Sequence, residues 1–154
     1  MNRTELQTVA VSTALNYGLD PALVCSVIAH ESDGWNQYAV RYEPGFYDRY
    51  ISSMKNLSRT EMTMRATSFG LMQVMGQVAR EQGFDGEYLT ELFEPLNAVM
   101  HGCKKLKKCL EQEGGNVPAA LLRYNGGGNA NYPDLVMAHY KDYAYLNSAT
   151  RRPV

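Results

Sequence analysis

The chain has 154 residues, of which 45% are hydrophobic and 20% charged. That composition suits one domain around one core and excludes the low-hydrophobicity, high-charge signature of disorder. Fifteen Lys and Arg against sixteen Asp and Glu leave a formal charge of −1, so neither nucleic acid nor an anionic membrane is an expected partner.

In chain order the elements read as a run of helices. The first is predicted over about Thr4 to Tyr17, followed by Gly18 in the place of a helix-ending glycine. Asp20-Pro21 opens the second, with the Asp side chain placed to cap it and Pro in the first turn. Its stripe of Leu23, Val24, Val27 and Ile28 has the spacing of a buried helical face. From Ser32 to about Arg65 the periodicity breaks down among aromatics and turn formers, and a long excursion with one short helix near Phe46 to Met54 is expected. Further helices are predicted from Gly70 to about Gln82, from Asn97 to Glu113, from Pro118 to Tyr124 and from Pro133 to Leu146. No stretch shows the sustained alternation of a strand, so the fold class is all-α, one unit over residues 1–154.

Three cysteines, Cys25, Cys103 and Cys109, read as free buried thiols. Cys103 and Cys109 lie six apart in a predicted helix, which puts them on different faces. His101, Cys103 and Cys109 therefore do not make a metal site, and no metal or cofactor is expected. The basic run Lys104, Lys105, Lys107 and Lys108 spreads around a helix and reads as a solvated face.

One residue is out of place. Glu31 continues the apolar stripe of the second helix, about 40° from Val27 and about 20° from Val24 on a helical wheel. A buried glutamate without a cationic partner keeps its proton to higher pH than usual. That is the requirement for a general acid in glycoside cleavage. The bland alternative is a helix-terminal side chain that bends into solvent or pairs with Arg41 or His30.

Three motifs in order add to this. His30-Glu31-Ser32 with Trp35-Asn36 and Ala39, then Gly70-Leu71-Met72-Gln73-Val74-Met75, then Arg123-Tyr124-Asn125-Gly126-Gly127 resemble the motifs of the soluble lytic transglycosylases, relatives of the goose-type lysozymes. The resemblance spans roughly Thr8 to Tyr143, including Phe93-Glu94-Pro95 and Asn97. It implies a lysozyme-like, mostly α-helical fold with a glycan-binding cleft and peptidoglycan glycan strands as partner. Glu31 matches the family's single catalytic acid and Ser32 the serine beside it. The resemblance further implies that backbone approaches the sugar at Gly70 and that Met72 lines the cleft. It gives Gln73 an amide for the substrate or the catalytic carboxyl, Tyr124 a hydrogen bond to Glu31, and Asn125 a contact with the sugar. Taken singly, the second motif is also just a helix start and the third just a helix stop. The aromatics from Trp35 to Tyr50 suit either sugar platforms or core.

The implied reaction cleaves the MurNAc–GlcNAc linkage without water and leaves a 1,6-anhydro end. A hydrolytic muramidase would need a second carboxylate, for which Asp33, Glu43, Asp48 and Glu61 are candidates. A binding or virion module that has kept the fold without activity is the reading from another class. The chain departs from the family pattern at Asp33-Gly34, in the roughly thirty residues between Ala39 and Gly70, and at Gly126. The amino terminus lacks the apolar run of an export signal and no stretch has the length of a membrane span. Synthesis in the cytoplasm and delivery to the wall by another route, as for a phage or prophage lysis or tail protein, is the simplest expectation.

Overall fold

The structure, a computed structural model, describes residues 1–149; residues 150–154, included in the one-unit expectation, lie outside the described residues. Helix α1 (Arg3–Asn16) starts on a capping box in which Asn2 and Glu5 bond each other's backbone. Gly18, at φ +67°, turns the chain toward α2 (Pro21–Glu31), where the Asp20 carboxylate accepts from the N–H groups of Ala22 and Leu23. Every residue of α2 from Pro21 to Ala29 is buried. Such a helix can only be the centre of the molecule, and α1 and the C-terminal helices pack around it.

Three short strands follow, which the sequence reading did not include. Strand β1 (Val40–Tyr42) pairs antiparallel with β2 (Thr67–Phe69), and β2 pairs antiparallel with β3 (Val74–Met75). Between β1 and β2 lie α3 (Pro44–Phe46), a π-helical turn over Tyr47–Ile51, and α4 (Arg59–Arg65), capped by the Ser58 hydroxyl. The helix expected from Gly70 begins only with α5 (Gly76–Glu81). Gly70 to Gln73 form instead the loop of the β2–β3 hairpin, with φ of +70° at Gly70 and +47° at Gln73. The error has a physical cause. Leu71, Met72 and Val74 are all fully buried, and a loop that plugs apolar side chains into the core has the apolar density of a helix.

A 3-10 turn over Leu89–Phe93 leads into the long α6 (Pro95–Gln112), then α7 (Val117–Tyr124), capped by Asn116. The last predicted helix is three: α8 (Tyr132–Met137), α9 (Tyr140–Tyr143) and α10 (Tyr145–Ala149). The breaks coincide with inward-turned tyrosines. Tyr140 donates to the Asp20 carboxylate, and Tyr143 accepts from Trp35 Nε1 at 2.9 Å. The fold is mostly α, as expected, with a small sheet added. All three cysteines are free and buried, and burial pushes the Cys25 and Cys103 thiols up to about 12. Among the described residues no helix is long and apolar enough to cross a membrane.

Candidate functional site

The C-terminal end of α2, the β-sheet, the middle of α6 and the C-terminal end of α7 enclose a cleft of about 920 Å³. Glu31 lies on its floor as the last residue of α2, half-buried, beside His30. Burial is the main influence on its carboxyl and holds the pKa above the usual carboxylate value. A hydrogen bond from Tyr132 and the more distant charges of Lys105, His30 and Arg41 pull the other way without overcoming it. The result is a carboxyl that keeps its proton longer than an exposed glutamate while facing an open cleft.

Tyr132, only 2% exposed, donates its hydroxyl hydrogen to Glu31 Oε1 at 2.5 Å. One oxygen is thus anchored and the other is left without a hydrogen bond among the described residues. The Tyr132 ring stands edge-on to His30, with centroids 5.2 Å apart. Sequence reasoning missed this residue and assigned the bond to Tyr124. Tyr124 is equally buried, but its hydroxyl donates to the Met72 carbonyl at 2.7 Å. With 11 tyrosines in the chain, composition could not choose among them. The usable signal was the buried glutamate itself, which needs a donor, and a tyrosine opening a helix directly after the glycine-rich loop.

The other expected site residues fall into two groups. Asn125 and Gln73 line the cleft with Glu31 and Tyr124. Asn125 accepts from the Asn129 N–H at 3.1 Å, and Asn129 in turn accepts from the Asn131 N–H at 3.0 Å. These linked turns order the loop that delivers Tyr132. Gln73 does not bond Glu31, and its amide is taken up by other partners. Its Nε2 donates to the carbonyls of Ala39 and Gly70, and its Oε1 accepts from the Ser68 hydroxyl. It therefore ties the hairpin loop to the start of β1.

Ser32, Gly70 and Met72 do not face the cleft, which corrects three expectations. Ser32 is fully buried, donating to the Ile28 carbonyl at 2.6 Å and accepting from the Trp35 N–H, so it closes the end of α2. At Gly70 the close approach is to protein and not to sugar: a Cβ there would lie 2.7 Å from the Leu92 carbonyl oxygen. Met72 is fully buried, and its side chain fills the space that Gly102 of α6 leaves open.

The remaining cleft wall comes from the segment between Ala39 and Gly70, which contributes Val40, Arg41, Glu43 and Phe46, with Tyr38 just before it. Of the aromatics considered there, Tyr38 and Phe46 face the cleft. Trp35 is core, 5% exposed and covered by the Arg3 guanidinium 4.2 Å from its ring. The basic run on α6 also divides. Lys107 and Lys108 are exposed as expected, but Lys105 turns into the cleft, its Nζ 4.1 Å from the centre of the Tyr124 ring.

The profile described as "Transglycosylase SLT domain" matches residues 9–143 of this chain. The chain belongs to the transglycosylase SLT family. It is similar to a protein named "Transglycosylase" from Enterobacteria phage PRD1, 27% identical over 139 residues. That match takes in 85% of this chain but 41% of the relative, so the chain spans under half the length of that protein. No solved structure gives a significant match. As an SLT-family fold the helices, hairpin and cleft are coherent: a lysozyme-like, mostly helical body carries the glutamate at the end of its most buried helix.

Proposed function

We propose that this protein is a lytic transglycosylase that cleaves the β-1,4 linkage between N-acetylmuramic acid and N-acetylglucosamine in peptidoglycan, with Glu31 as acid and then base. One observation carries the reading: of the two carboxyls that line the cleft among the described residues, that of Glu31 is burial-shifted toward its protonated form, anchored at one oxygen by Tyr132 and open at the other. The Glu31 carboxyl donates its proton to the glycosidic oxygen as the bond from that oxygen to the muramoyl C1 breaks. The carboxylate left behind takes the proton of the C6 hydroxyl as O6 bonds to C1, giving the 1,6-anhydro end. The substrate's N-acetyl oxygen stabilises the cation between these steps, so no second protein carboxylate is needed. Tyr132 suits both halves: its hydrogen bond orients the acid at first and then stabilises the carboxylate.

A hydrolytic reading is favoured by one residue. Of Asp33, Glu43, Asp48 and Glu61, Glu43 alone lines the cleft among the described residues, and it is held by Arg41 at 2.5 Å. Glu61 is committed elsewhere, between Arg65 and Arg80. An ion pair makes Glu43 a poorer base for water. The relative from phage PRD1 supports release by a phage or prophage system as the route to the wall.

Mass spectrometry of digested cell walls tests both readings. Anhydro-muramoyl ends are the expected product, reduced by about 10³-fold or more in Glu31→Gln and preserved in Glu43→Gln. Reducing ends that depend on Glu43 would establish hydrolysis instead. Wall binding with no release of sugar from the wild type would leave a binding module.

A further inference from the structure

Three Lys or Arg side chains line the cleft among the described residues: Arg41, Lys105 and Arg123. Two are already neutralised, Arg41 by Glu43 and Arg123 by Glu113, each at 2.5 Å. Lys105 has no carboxylate within ion-pair distance among the described residues. It is nonetheless fixed in place, because its ammonium sits over the Tyr124 ring, whose hydroxyl is itself tied to Met72.

A half-buried ammonium without a carboxylate is costly to keep, and burial indeed draws the Lys105 pKa down. Its use as a standing counter-charge to Glu31 is a poor explanation, since a cation there favours loss of the proton that the acid must hold. A bare cation also opposes the positive charge that develops on the sugar. Both penalties disappear if an anion arrives with the substrate. On a strand of alternating GlcNAc and MurNAc the acidic groups hang from the lactyl arm of MurNAc. They are the lactyl carboxylate itself on a peptide-stripped strand, or the carboxylates of the stem peptide amide-linked to it.

We propose that Lys105 is an anion site in the cleft and takes a carboxylate carried on the lactyl arm of the muramoyl residue. The assignment rests on the glycan reading above and adds a charge requirement to it. Asn125, which lines the same cleft, has a side-chain NH₂ without a partner among the described residues and is a further donor available to a bound anion. The site selects muramoyl strands over neutral polymers of N-acetylglucosamine of the same length.

Equilibrium binding to the Glu31→Gln protein, which turns over no substrate, tests the charge requirement. Four ligands are compared: oligosaccharide strands with and without stem peptides, each before and after conversion of their carboxylates to primary amides. A charge-assisted hydrogen bond predicts about tenfold tighter binding of the acidic member of a pair, and the pair that shows it identifies the carboxylate. Adding Lys105→Met should abolish the preference, whereas Lys105→Arg should keep it. Equal binding of acidic and amidated strands, or a preference that survives Lys105→Met, overturns the proposal but leaves the glycan reading standing. Failure to bind any of the four overturns both.

Discussion

Glu31 keeps its proton because the fold makes ionisation expensive, and the same expense is charged to stability. Its folded-state pKa is raised, chiefly by burial. Below the ordinary glutamate value the group is protonated in the folded and unfolded chain alike, and there is no penalty. As pH rises through the raised folded value, the unfolded chain ionises more readily and stability is lost. Glu31→Gln, which can still accept from Tyr132, should therefore melt at a higher temperature than the wild type at pH 8. That gain should shrink toward zero near pH 4, while activity is lost throughout. Thermal melts of both proteins at the two pH values check this, and a gain independent of pH would show that the carboxyl is not burial-shifted.

At the scale of elements, the cleft wall depends on a hairpin loop pressed onto a helix. The Met72 side chain occupies the space over Gly102 of α6, while the Met72 carbonyl holds the Tyr124 hydroxyl of α7. A Cβ at Gly102 would overlap Met72. Gly102→Ala should cost about 1–3 kcal/mol by overpacking, and Met72→Ala about 2–5 kcal/mol by leaving a cavity. The double variant should cost less than the sum, because the cavity accommodates the new methyl. Denaturant unfolding of the set measures the coupling, and strict additivity would refute the contact. The helices themselves were legible from their ends: Asp20-Pro21 and Gly18 mark real boundaries because capping is a local event between neighbours in sequence. The hairpin was not legible. Gly70 and Gln73 take left-handed conformations for reasons set largely by Leu92 and Ala39, both distant along the chain.

At the scale of the whole molecule, acid should unfold this protein earlier than its net charge suggests. His101 of α6 is 1% exposed, with Nδ1 at 2.7 Å from Gln82 Oε1 and its ring edge-on to Phe84. Burial, with a smaller effect of Lys104, lowers its pKa to about 4. A depressed histidine binds its proton more weakly folded than unfolded, so stability is complete above about 6.5 and falls as pH drops toward 4. His101→Gln should lower stability at pH 7.5 yet flatten its decline between pH 6.5 and 4. Chemical denaturation across that range is the measurement, and an unchanged slope would sink the assignment.

Taken by itself, the sequence determined the helical class, the family resemblance and the position of the buried glutamate. Helix caps, apolar periodicity and an ordered set of motifs are all written in short spans of chain, and Glu31 stood out against its own helix. The tertiary structure alone decided which side chains surround that carboxyl. Tyr132 lies 101 positions from Glu31, and Lys105, Gln73 and Tyr124 reach the cleft wall from three different elements. Hydrogen bonds and buried charges between such distant residues follow from how the elements pack, and no local pattern encodes that packing.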